Sequence, residues 1–198
     1  MKNRREIPEA KSERTRRKIV SAAAAAYRER GINGVGVRDI MQRAGLTQGG
    51  FYFHFSDKDA LLAEASRDGF EATTGWFLEH VSAAAPEERL QTFIDAYLSP
   101  WHRDHPEAGC MMAALASEVA RRDRKTRQDF TASATRMIDR IAPYLPGQSA
   151  SEQLQKAGLM LSAMSGVLMV SRVLVNRTRS DALLAAARKF FFANFSRD

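Results

Sequence analysis

Cysteine is almost absent from this 198-residue chain, because Cys110 is its only one. A single cysteine excludes an intrachain disulfide framework and suits a reducing cytoplasm. Long apolar runs are missing as well, since no stretch approaches the roughly 18 uninterrupted apolar residues that suggest a membrane span. The basic N-terminus has no apolar run behind its charges that ends in a cleavage site. These absences predict a cytoplasmic protein with no membrane segment.

The sequence also lacks the motifs of common enzymes. It contains no phosphate-binding loop, no G-x-S-x-G and no H-E-x-x-H. His102, His105 and Cys110 follow an H-x2-H-x4-C spacing, but no fourth ligand lies nearby and the spacing matches no strong metal motif. We therefore expect neither an enzyme nor a metal or cofactor site.

Positive charge is concentrated in the first third of the chain. Residues 1–58 hold 13 Lys and Arg against 6 Asp and Glu, whereas residues 59–198 hold 17 of each sign. The whole net charge of +7 therefore belongs to the first third. A solvated basic tail would give the same composition, but the concentration favours a surface for a polyanion, either nucleic acid or an anionic membrane.

Helical periodicity dominates the residues that are present, and we find no alternating strand pattern. Apolar residues at helical spacing, with glycine and proline at the breaks, predict an all-α protein. The predicted helices span about 12–30, 37–44, two turns from Gln48, 56–84, 86–99, 107–121, 124–144, 151–176 and 180–195.

The second and third predicted helices form a helix-turn-helix pattern. A two-turn helix with an apolar stripe over residues 37–44 is followed by a glycine-containing turn at 45–47 and by a second short helix, for which Thr47 is a suitable N-cap. We expect Leu46, Phe51 and Phe55 to fill the space between these helices.

Two adjacent glycines, Gly49 and Gly50, lie in the second short helix. Each costs roughly 1 kcal/mol against alanine inside a helix, so helix stability alone does not explain them. We expect them to let this helix approach a surface closely, with backbone N–H groups free for phosphate oxygens. Ser56 is the expected N-cap of the helix that follows.

The stretch TRRKIVSAAAAAYRERGINGVGVRDIMQRAGLTQGGFYFHFSDKDALL, residues 15–62, resembles the N-terminal DNA-binding domain of the TetR/AcrR family of bacterial transcriptional regulators. The resemblance rests on R-G after the first helix, V-R-D-I, A-G-L-T in the turn, Y-F-H-F and S-D-K-D-A-L. Two positions depart from the family pattern, which usually has a small residue where Met41 stands and often a side chain where Gly50 stands.

The resemblance implies an all-α fold of two parts. A three-helix helix-turn-helix DNA-binding domain would occupy residues 1–58, with a flexible arm at 1–11. A larger helical domain for ligand binding and dimerisation would occupy residues 59–198.

The resemblance also implies which residues contact DNA. Gln48 is the candidate for a base contact, since glutamine bonds bidentately to adenine, and Gly49 and Gly50 would allow close approach. Phosphate contacts are implied for Arg38, Thr47, Tyr52, His54 and Lys58. A packed aromatic stripe is the alternative for Tyr52 and His54, and a solvated surface charge is the alternative for Lys58.

The neutral region 59–198 is larger than a DNA-binding unit needs, and the resemblance implies that it forms a homodimer and binds an inducing ligand. The last two helices favour dimerisation, because residues 159–174 are apolar on most sides, Ser162, Ser165 and Gly166 are small, and a Phe cluster at 190–195 follows. An internal core without a partner is the alternative.

Aromatic and methionine residues of the middle helices, with Cys110, are candidate ligand contacts, although such a stripe is more often plain core packing. The candidates are Trp76, Phe93, Tyr97, Trp101, Cys110, Met111, Met137 and Met160. Cys110 also lies in a segment that resembles G-C-x-x-A-x-L-A-x-E in one branch of the family. A thiol that senses oxidants or electrophiles is one hypothesis for it, and a small buried residue is the other.

The sequence therefore predicts a ligand-responsive transcriptional regulator that binds a double-stranded DNA operator as a symmetric dimer. Repression, relieved by a small apolar or electrophilic inducer, is the family's usual mode, and activation stays open. A nonspecific or architectural DNA-binding protein is the alternative. The ratio of specific to nonspecific affinity distinguishes the two.

Overall fold

The computed structural model describes residues 6–196, with side chains described from Lys11 onward. This part of the chain is mostly helical, with short loops between the helices, and contains no strand, which confirms the predicted all-α fold. Its α-helices are α1 (Glu6–Arg30), α2 (Val37–Arg43), α3 (Lys58–Ala83), α4 (Arg89–Tyr97), α5 (Pro100–Asp104), α6 (Met111–Val119), α7 (Arg124–Ile141), α8 (Ala150–Val173) and α9 (Arg177–Phe195). Short 3₁₀ helices occupy Gln48–Phe53, Pro86–Glu88, Pro106–Ala108 and Ala142–Tyr144.

Helix α1 begins at Glu6, earlier than the predicted residue 12, so the predicted arm overlaps it at residues 6–11. Residues 1–5 lie outside the described residues. The helix continues through five alanines, which have the highest helix propensity. It ends at Gly31, whose positive φ of 76° is a left-handed conformation that glycine adopts without strain.

The turn after α2 explains why a glycine and an apolar residue occur together there. Gly45 has a φ of 71°, its N–H bonds to the Gln42 carbonyl at 3.0 Å, and the Leu46 N–H bonds to the Met41 carbonyl at 2.8 Å. This pair of bonds is the Schellman motif, which satisfies the last carbonyls of a helix and redirects the chain. The turn places the 48–53 helix against α2.

The N-cap of helix α3 lies one residue later than predicted. Its N-cap is Asp57, whose Oδ1 accepts a hydrogen bond from the Ala60 N–H at 2.7 Å, and the predicted cap Ser56 instead donates to Asp57 Oδ2 at 3.0 Å. A carboxylate at this position also suits the positive end of the helix dipole. The predicted N-cap Ser56 was therefore wrong by one position.

Two long helices predicted in the middle of the chain are broken in the structure. The stretch 86–99 is a 3₁₀ turn followed by α4, and a new short helix, α5, starts at Pro100 with the Ser99 hydroxyl accepting from the His102 N–H at 3.1 Å. The stretch 107–121 breaks at Gly109, which is extended, so α6 starts only at Met111. Cys110 is consequently the N-cap residue of α6 rather than a residue within the helix.

The first three helical segments and the start of α3 share one apolar core. Tyr27 of α1, Ile40 of α2, Phe51 of the 48–53 helix and Leu61 of α3 are all fully buried. Arg16 ties α1 to this group, because its guanidinium pairs with Glu64, donates to the His54 carbonyl and lies 4.3 Å from the centre of the Phe55 ring. Truncating a buried aromatic such as Phe51 to alanine would cost about 3 to 5 kcal/mol.

Helices α8 and α9 pack together at the C-terminal end and divide their apolar residues between two faces. Leu161, Leu168 and Phe191 are buried in the core of the same chain. A second face, which we call the α8–α9 stripe, stays exposed or half-buried and consists of Leu159, Ala163, Gly166, Val170, Val173, Ala186 and Phe190. Only part of the apolar set predicted for dimerisation is therefore free to meet a partner.

Helix α8 is also long and apolar enough to cross a membrane, by length and composition alone, and 33% of its most apolar window is buried. Core helices of proteins without a membrane segment meet the same criteria. One face of α8 packs inside the chain and against α9, and its other apolar face is the α8–α9 stripe.

Candidate nucleic-acid interface

The 48–53 helix is built on two buried phenylalanines. Phe51 is fully buried and Phe55 nearly so, their rings stack at 5.7 Å between centroids, and the Tyr52 ring meets Phe51 edge-on at 5.2 Å. The two residues thus anchor the helix to the core, as predicted. The segment is a 3₁₀ helix rather than the predicted two-turn α-helix, which agrees with the weak helix propensity of its two glycines.

The outer side of this helix presents polar and aromatic side chains to solvent. Thr47, Gln48 and Gly49 are exposed, and Tyr52 is 72% exposed. Thr47 occupies the predicted N-cap position, but its hydroxyl makes no capping hydrogen bond. Backbone N–H groups and side chains at the N-terminal end of the 48–53 helix are therefore available to an external partner.

Phe53 is the residue of this surface that the sequence analysis missed. It is 89% exposed, which is exceptional for a phenylalanine next to a core. The sequence spacing predicts this exposure, because Phe51 and Phe55 both point inward and a residue midway between them on a helix points outward.

Gly49 and Gly50 differ in their surroundings. A Cβ atom at Gly49 would meet nothing within 4 Å, whereas one at Gly50 would lie 3.6 Å from Met41 Cε, an ordinary contact distance. Met41, which is larger than the family's usual residue, thus fills the space beneath Gly50. The two departures from the family pattern are adjacent in space, and neither glycine has a positive φ that would require it.

His54 and Lys58 are held by the protein more firmly than the sequence implied. The His54 backbone is fixed by Arg16, and its side chain is half-buried. The Lys58 ammonium donates to the Ile32 carbonyl at 2.6 Å, and burial lowers the pKa of Lys58. A phosphate contact from Lys58 would have to replace this hydrogen bond.

Arg38 is exposed near the start of α2 and forms no ion pair with any residue that the structure describes. The helix that holds it is capped at its start by Asp39, whose carboxylate accepts from the Gly36 N–H at 3.0 Å. Arg38 therefore keeps its full set of guanidinium donors for an external anion.

The predicted ligand contacts form packed core instead of a cavity wall. Phe93, Tyr97, Cys110, Met111, Met137 and Met160 are each at most 1% exposed, whereas Trp76 is half-buried and stacks on the exposed Trp101 at 5.3 Å. None of the eight lines any of five clefts, of about 260 to 620 Å³, that open elsewhere on the described surface. The role of these eight residues in ligand binding therefore stays a prediction.

His102 connects several of these core residues through fixed hydrogen bonds. Its Nδ1 lies 2.6 Å from the Tyr97 carbonyl, and its Nε2 lies 2.9 Å from the Cys110 backbone nitrogen. Since the Cys110 N–H can only donate, Nε2 must be the unprotonated nitrogen and Nδ1 carries the hydrogen. Burial, assisted by the nearby Arg172 and Arg28 charges, lowers the pKa of His102 to about 4 and keeps the ring neutral.

Cys110 is fully buried, so its thiol does not meet solvent in this conformation. The sensor hypothesis for Cys110 needs a conformation in which the α6 N-terminus opens. Within residues 11–196, no group of three or more His, Cys, Asp and Glu side chains is placed to hold a metal ion. Both ring nitrogens of His102 are already engaged within the chain.

A short exposed helix on a compact helical core, after a Schellman turn and within the basic third of the chain, defines the helix-turn-helix class of DNA-binding proteins. The sequence pattern of bacterial regulatory proteins of the tetR family matches residues 19–65. The comparisons confirm the predicted resemblance to the TetR family of transcriptional regulators.

Comparison along the whole chain gives the same result. The HTH-type transcriptional regulator Rv0196 of Mycobacterium tuberculosis is 28% identical over 194 residues, covering 90% of this chain and 94% of that protein. The HTH-type transcriptional repressor KstR2 of the same species is 32% identical over 93 residues, 46% of each chain. A TetR-family regulator from Cytophaga hutchinsonii has the same fold, with a TM-score of 0.75 at 18% identity over 95% of this chain and 98% of that one.

Proposed function

We propose that this TetR-family regulator is a ligand-responsive repressor that works in the cytoplasm as a symmetric homodimer. It would bind a two-fold symmetric operator and leave it when a small molecule binds. The observation that carries the proposal is the exposed edge of the 48–53 helix, where hydrogen-bonding and aromatic side chains stand on a buried phenylalanine pair. Because the similar protein KstR2 is named a repressor, we propose repression rather than activation.

The exposed residues divide into two roles on DNA. Gln48 is the proposed base contact, because its amide offers a donor and an acceptor in the geometry of adenine's major-groove edge. Arg38, Thr47 and Tyr52 are proposed phosphate contacts, with Gly49 and Gly50 bringing the backbone close. His54 would join them from its half-buried position, and Lys58 would do so only by leaving Ile32. To this set we add Phe53, whose exposed ring suits apolar contact with a thymine methyl group.

Dimerisation is proposed to use the α8–α9 stripe. The stripe is apolar, and a Cβ atom added at Gly166 would meet nothing within 4 Å, so a partner helix has room for close approach. An exposed apolar face of this kind on two adjacent long helices is typical of a subunit interface. Two copies would present two 48–53 helices for successive major grooves, roughly 34 to 36 Å apart.

The link between the two proposed functional parts, 1–58 and 59–198, supports ligand control. Glu118 at the end of α6 accepts from the Ile32 N–H at 3.0 Å, and Arg122 donates to Asn33 Oδ1 at 2.7 Å. The loop after α1 is therefore bonded to the end of α6. A shift of α6 would move this loop and change the spacing of the two DNA-binding parts.

The test is selection of bound duplexes from a random pool at near-physiological salt, carried out with the wild type, Gln48→Ala and the exposed control Gln128→Ala. We expect a two-fold symmetric motif for the wild type and the control. Gln48→Ala should relax the base preference at one position in each half-site, at a cost of about 1 to 3 kcal/mol in discrimination.

Tight binding without any enriched motif would contradict the operator proposal and favour an architectural role. An unchanged motif for Gln48→Ala would contradict the proposed base contact while leaving the repressor proposal in place. The salt dependence of affinity does not separate these outcomes, since phosphate contacts produce it in both cases.

A further inference from the structure

A cleft of about 620 Å³ opens where α1 meets the α5–α6 turn and the C-terminal end of α8. This volume is within the range of small-molecule sites. The cleft includes none of the residues that the sequence analysis assigned to a ligand. Its lining combines four arginines and the two acidic residues Glu29 and Asp104 with apolar residues of α6 and of the C-terminal end of α8.

Two arginines of this cleft, Arg28 and Arg172, form no ion pair within 4 Å in the described part of the chain, although carboxylates such as Glu107 act on both from a longer distance. Arg28 Nη1 donates to the Gly109 carbonyl at 3.1 Å and to Thr73 Oγ1 at 3.3 Å, and Arg172 donates to the carbonyls of His102 and Arg103 at 2.8 and 3.1 Å. All these acceptors are neutral. Among the residues that the structure describes, neither Arg28 nor Arg172 forms an ion pair.

The other arginines at the cleft show the usual arrangement. Arg103 pairs with Asp104 and Asp181, and Arg177 pairs with Asp104, each within 2.9 Å. Buried or partly buried charges in proteins are normally paired in this way. Among the four arginines that line the cleft in the described chain, Arg28 and Arg172 are therefore the two without an ion pair.

Arg28 and Arg172 converge on a single turn of the chain. Arg28 bonds to the Gly109 carbonyl, and a Cβ atom at Gly109 would lie 3.0 Å from Arg172 Nη2. The Nε atom of Arg28 is buried and has no hydrogen-bond partner. Burial lowers the pKa of both guanidinium groups, and the carboxylates around them offset this only in part. An anion between them would supply both missing charge and acceptors.

The apolar part of the lining is suited to an apolar body. It consists of Met169 and Val173 of α8, Leu174 and Val175 just after it, and Ala113 and Ala114 of α6, which we call the floor. Met169 is exposed and lies outside the α8–α9 stripe, so a ligand can cover it beside Val173, which the stripe includes.

We propose that this cleft binds a small organic anion, whose carboxylate or phosphate group pairs with Arg28 and Arg172 while its apolar body lies along the C-terminal turn of α8. Arg28 belongs to α1 and Arg172 to α8, so the anion bridges the DNA-binding part and the proposed dimerisation helices. Its regulatory meaning rests on the ligand-responsive function proposed above.

The test is calorimetric titration of the full-length protein with decanoate, decyl phosphate and decan-1-ol below their micellar concentrations. We expect at least one of the two anions to bind about tenfold or more tightly than the alcohol, since hydrogen bonds to charged groups discriminate by this amount. Whichever anion binds more tightly identifies the head group as carboxylate or phosphate.

Two variants of the cleft and one control sharpen the result. Arg172→Gln removes one charge, and Ala114→Phe fills the floor while keeping both arginines. The control Arg188→Gln removes an arginine that likewise donates to a backbone carbonyl, Leu98 O at 2.8 Å, but lies outside the cleft. We expect at least tenfold weaker anion binding for both cleft variants and unchanged binding for the control.

The proposal is overturned if no anion binds, if the alcohol binds equally well, or if all three variants lose affinity together. It is also overturned if Arg172→Gln weakens dimerisation without changing anion binding, because the cleft would then be a subunit contact. Fluorescence anisotropy with a duplex selected as above measures DNA release, and so separates anion binding at the cleft from its effect on DNA binding. Anion binding without DNA release would leave the site standing and remove its regulatory role, whereas DNA release that survives both cleft variants would place the inducer site elsewhere.

Discussion

His102 illustrates at the residue scale how a buried titratable group depends on its two neighbours. A neutral imidazole has one donor and one acceptor, and the Tyr97 carbonyl and Cys110 N–H use one each. Protonation would turn Nε2 into a donor facing another donor. The low pKa of the ring is therefore a consequence of burial and of a hydrogen-bond pattern that only the neutral form satisfies.

The pKa of His102 predicts how stability responds to acid. The pKa is about 4 in the folded protein against 6.5 for an ordinary histidine, so the unfolded chain binds the proton more readily between these values. The stabilisation is complete above pH 6.5 and is lost as the pH falls toward 4, by an amount on the order of 3 kcal/mol. We expect His102→Gln to be less stable than the wild type at pH 7 and the difference to shrink toward pH 4.

Urea unfolding of the wild type and His102→Gln at several pH values measures this difference. His80 serves as the control position, because its side chain is exposed and its Nδ1 lies 2.8 Å from the Trp76 carbonyl, outside the His102 network. A constant difference between wild type and His102→Gln from pH 7 to pH 4 would contradict the predicted linkage.

At the scale of helices, the sequence predicted the elements well and their internal breaks poorly. Periodicity and glycine stops located α2, α7 and α9 to within a few residues, because these signals are local. The break before α5 and the delayed start of α6 depend on tertiary contacts. His102 must turn inward to reach the Cys110 N–H, and no local pattern records that requirement.

Helix α3 contains two glycines, at which the gain in helix propensity from alanine can be compared with the steric cost of its Cβ atom. A Cβ atom at Gly69 would lie 2.6 Å from Sδ of the buried Met111, whereas one at Gly75 would meet nothing within 4 Å. Alanine gains about 1 kcal/mol over glycine inside a helix. We expect Gly75→Ala to stabilise by about that amount, and Gly69→Ala to destabilise by about 1 to 3 kcal/mol because Met111 cannot retract.

Thermal and urea unfolding of both variants measure the two effects on the same helix. Equal stabilisation by both substitutions would mean that Met111 repacks freely and that the close contact at Gly69 has no energetic weight. Loss of stability in Gly75→Ala would point instead to a contact at that position made by another subunit.

For the whole molecule, the sequence predicted the DNA-binding part better than the ligand site. The charge distribution and the 15–62 stretch indicated the interface, and the inward spacing of Phe51 and Phe55 fixed its anchor. The ligand candidates failed to form a cavity because apolar residues at helical spacing are equally good core. Arg28 and Arg172, the cleft arginines without an ion pair, are separated by 144 residues in the chain, and only the fold brings both to Gly109.

A charge placed on the α8–α9 stripe is predicted to separate the two subunits of the dimer. Val170 is 47% exposed on this face, so Val170→Glu adds a charge that the folded monomer can hydrate but a dimer interface must bury unpaired. We expect sedimentation velocity to give a mass near twice 22.1 kDa for the wild type and near 22.1 kDa for the variant. Operator affinity should fall at least tenfold, because one half-site alone remains bound. Thr131→Glu on the exposed side of α7 is the control and should stay dimeric. A dimeric Val170→Glu with full affinity would exclude this stripe as the interface.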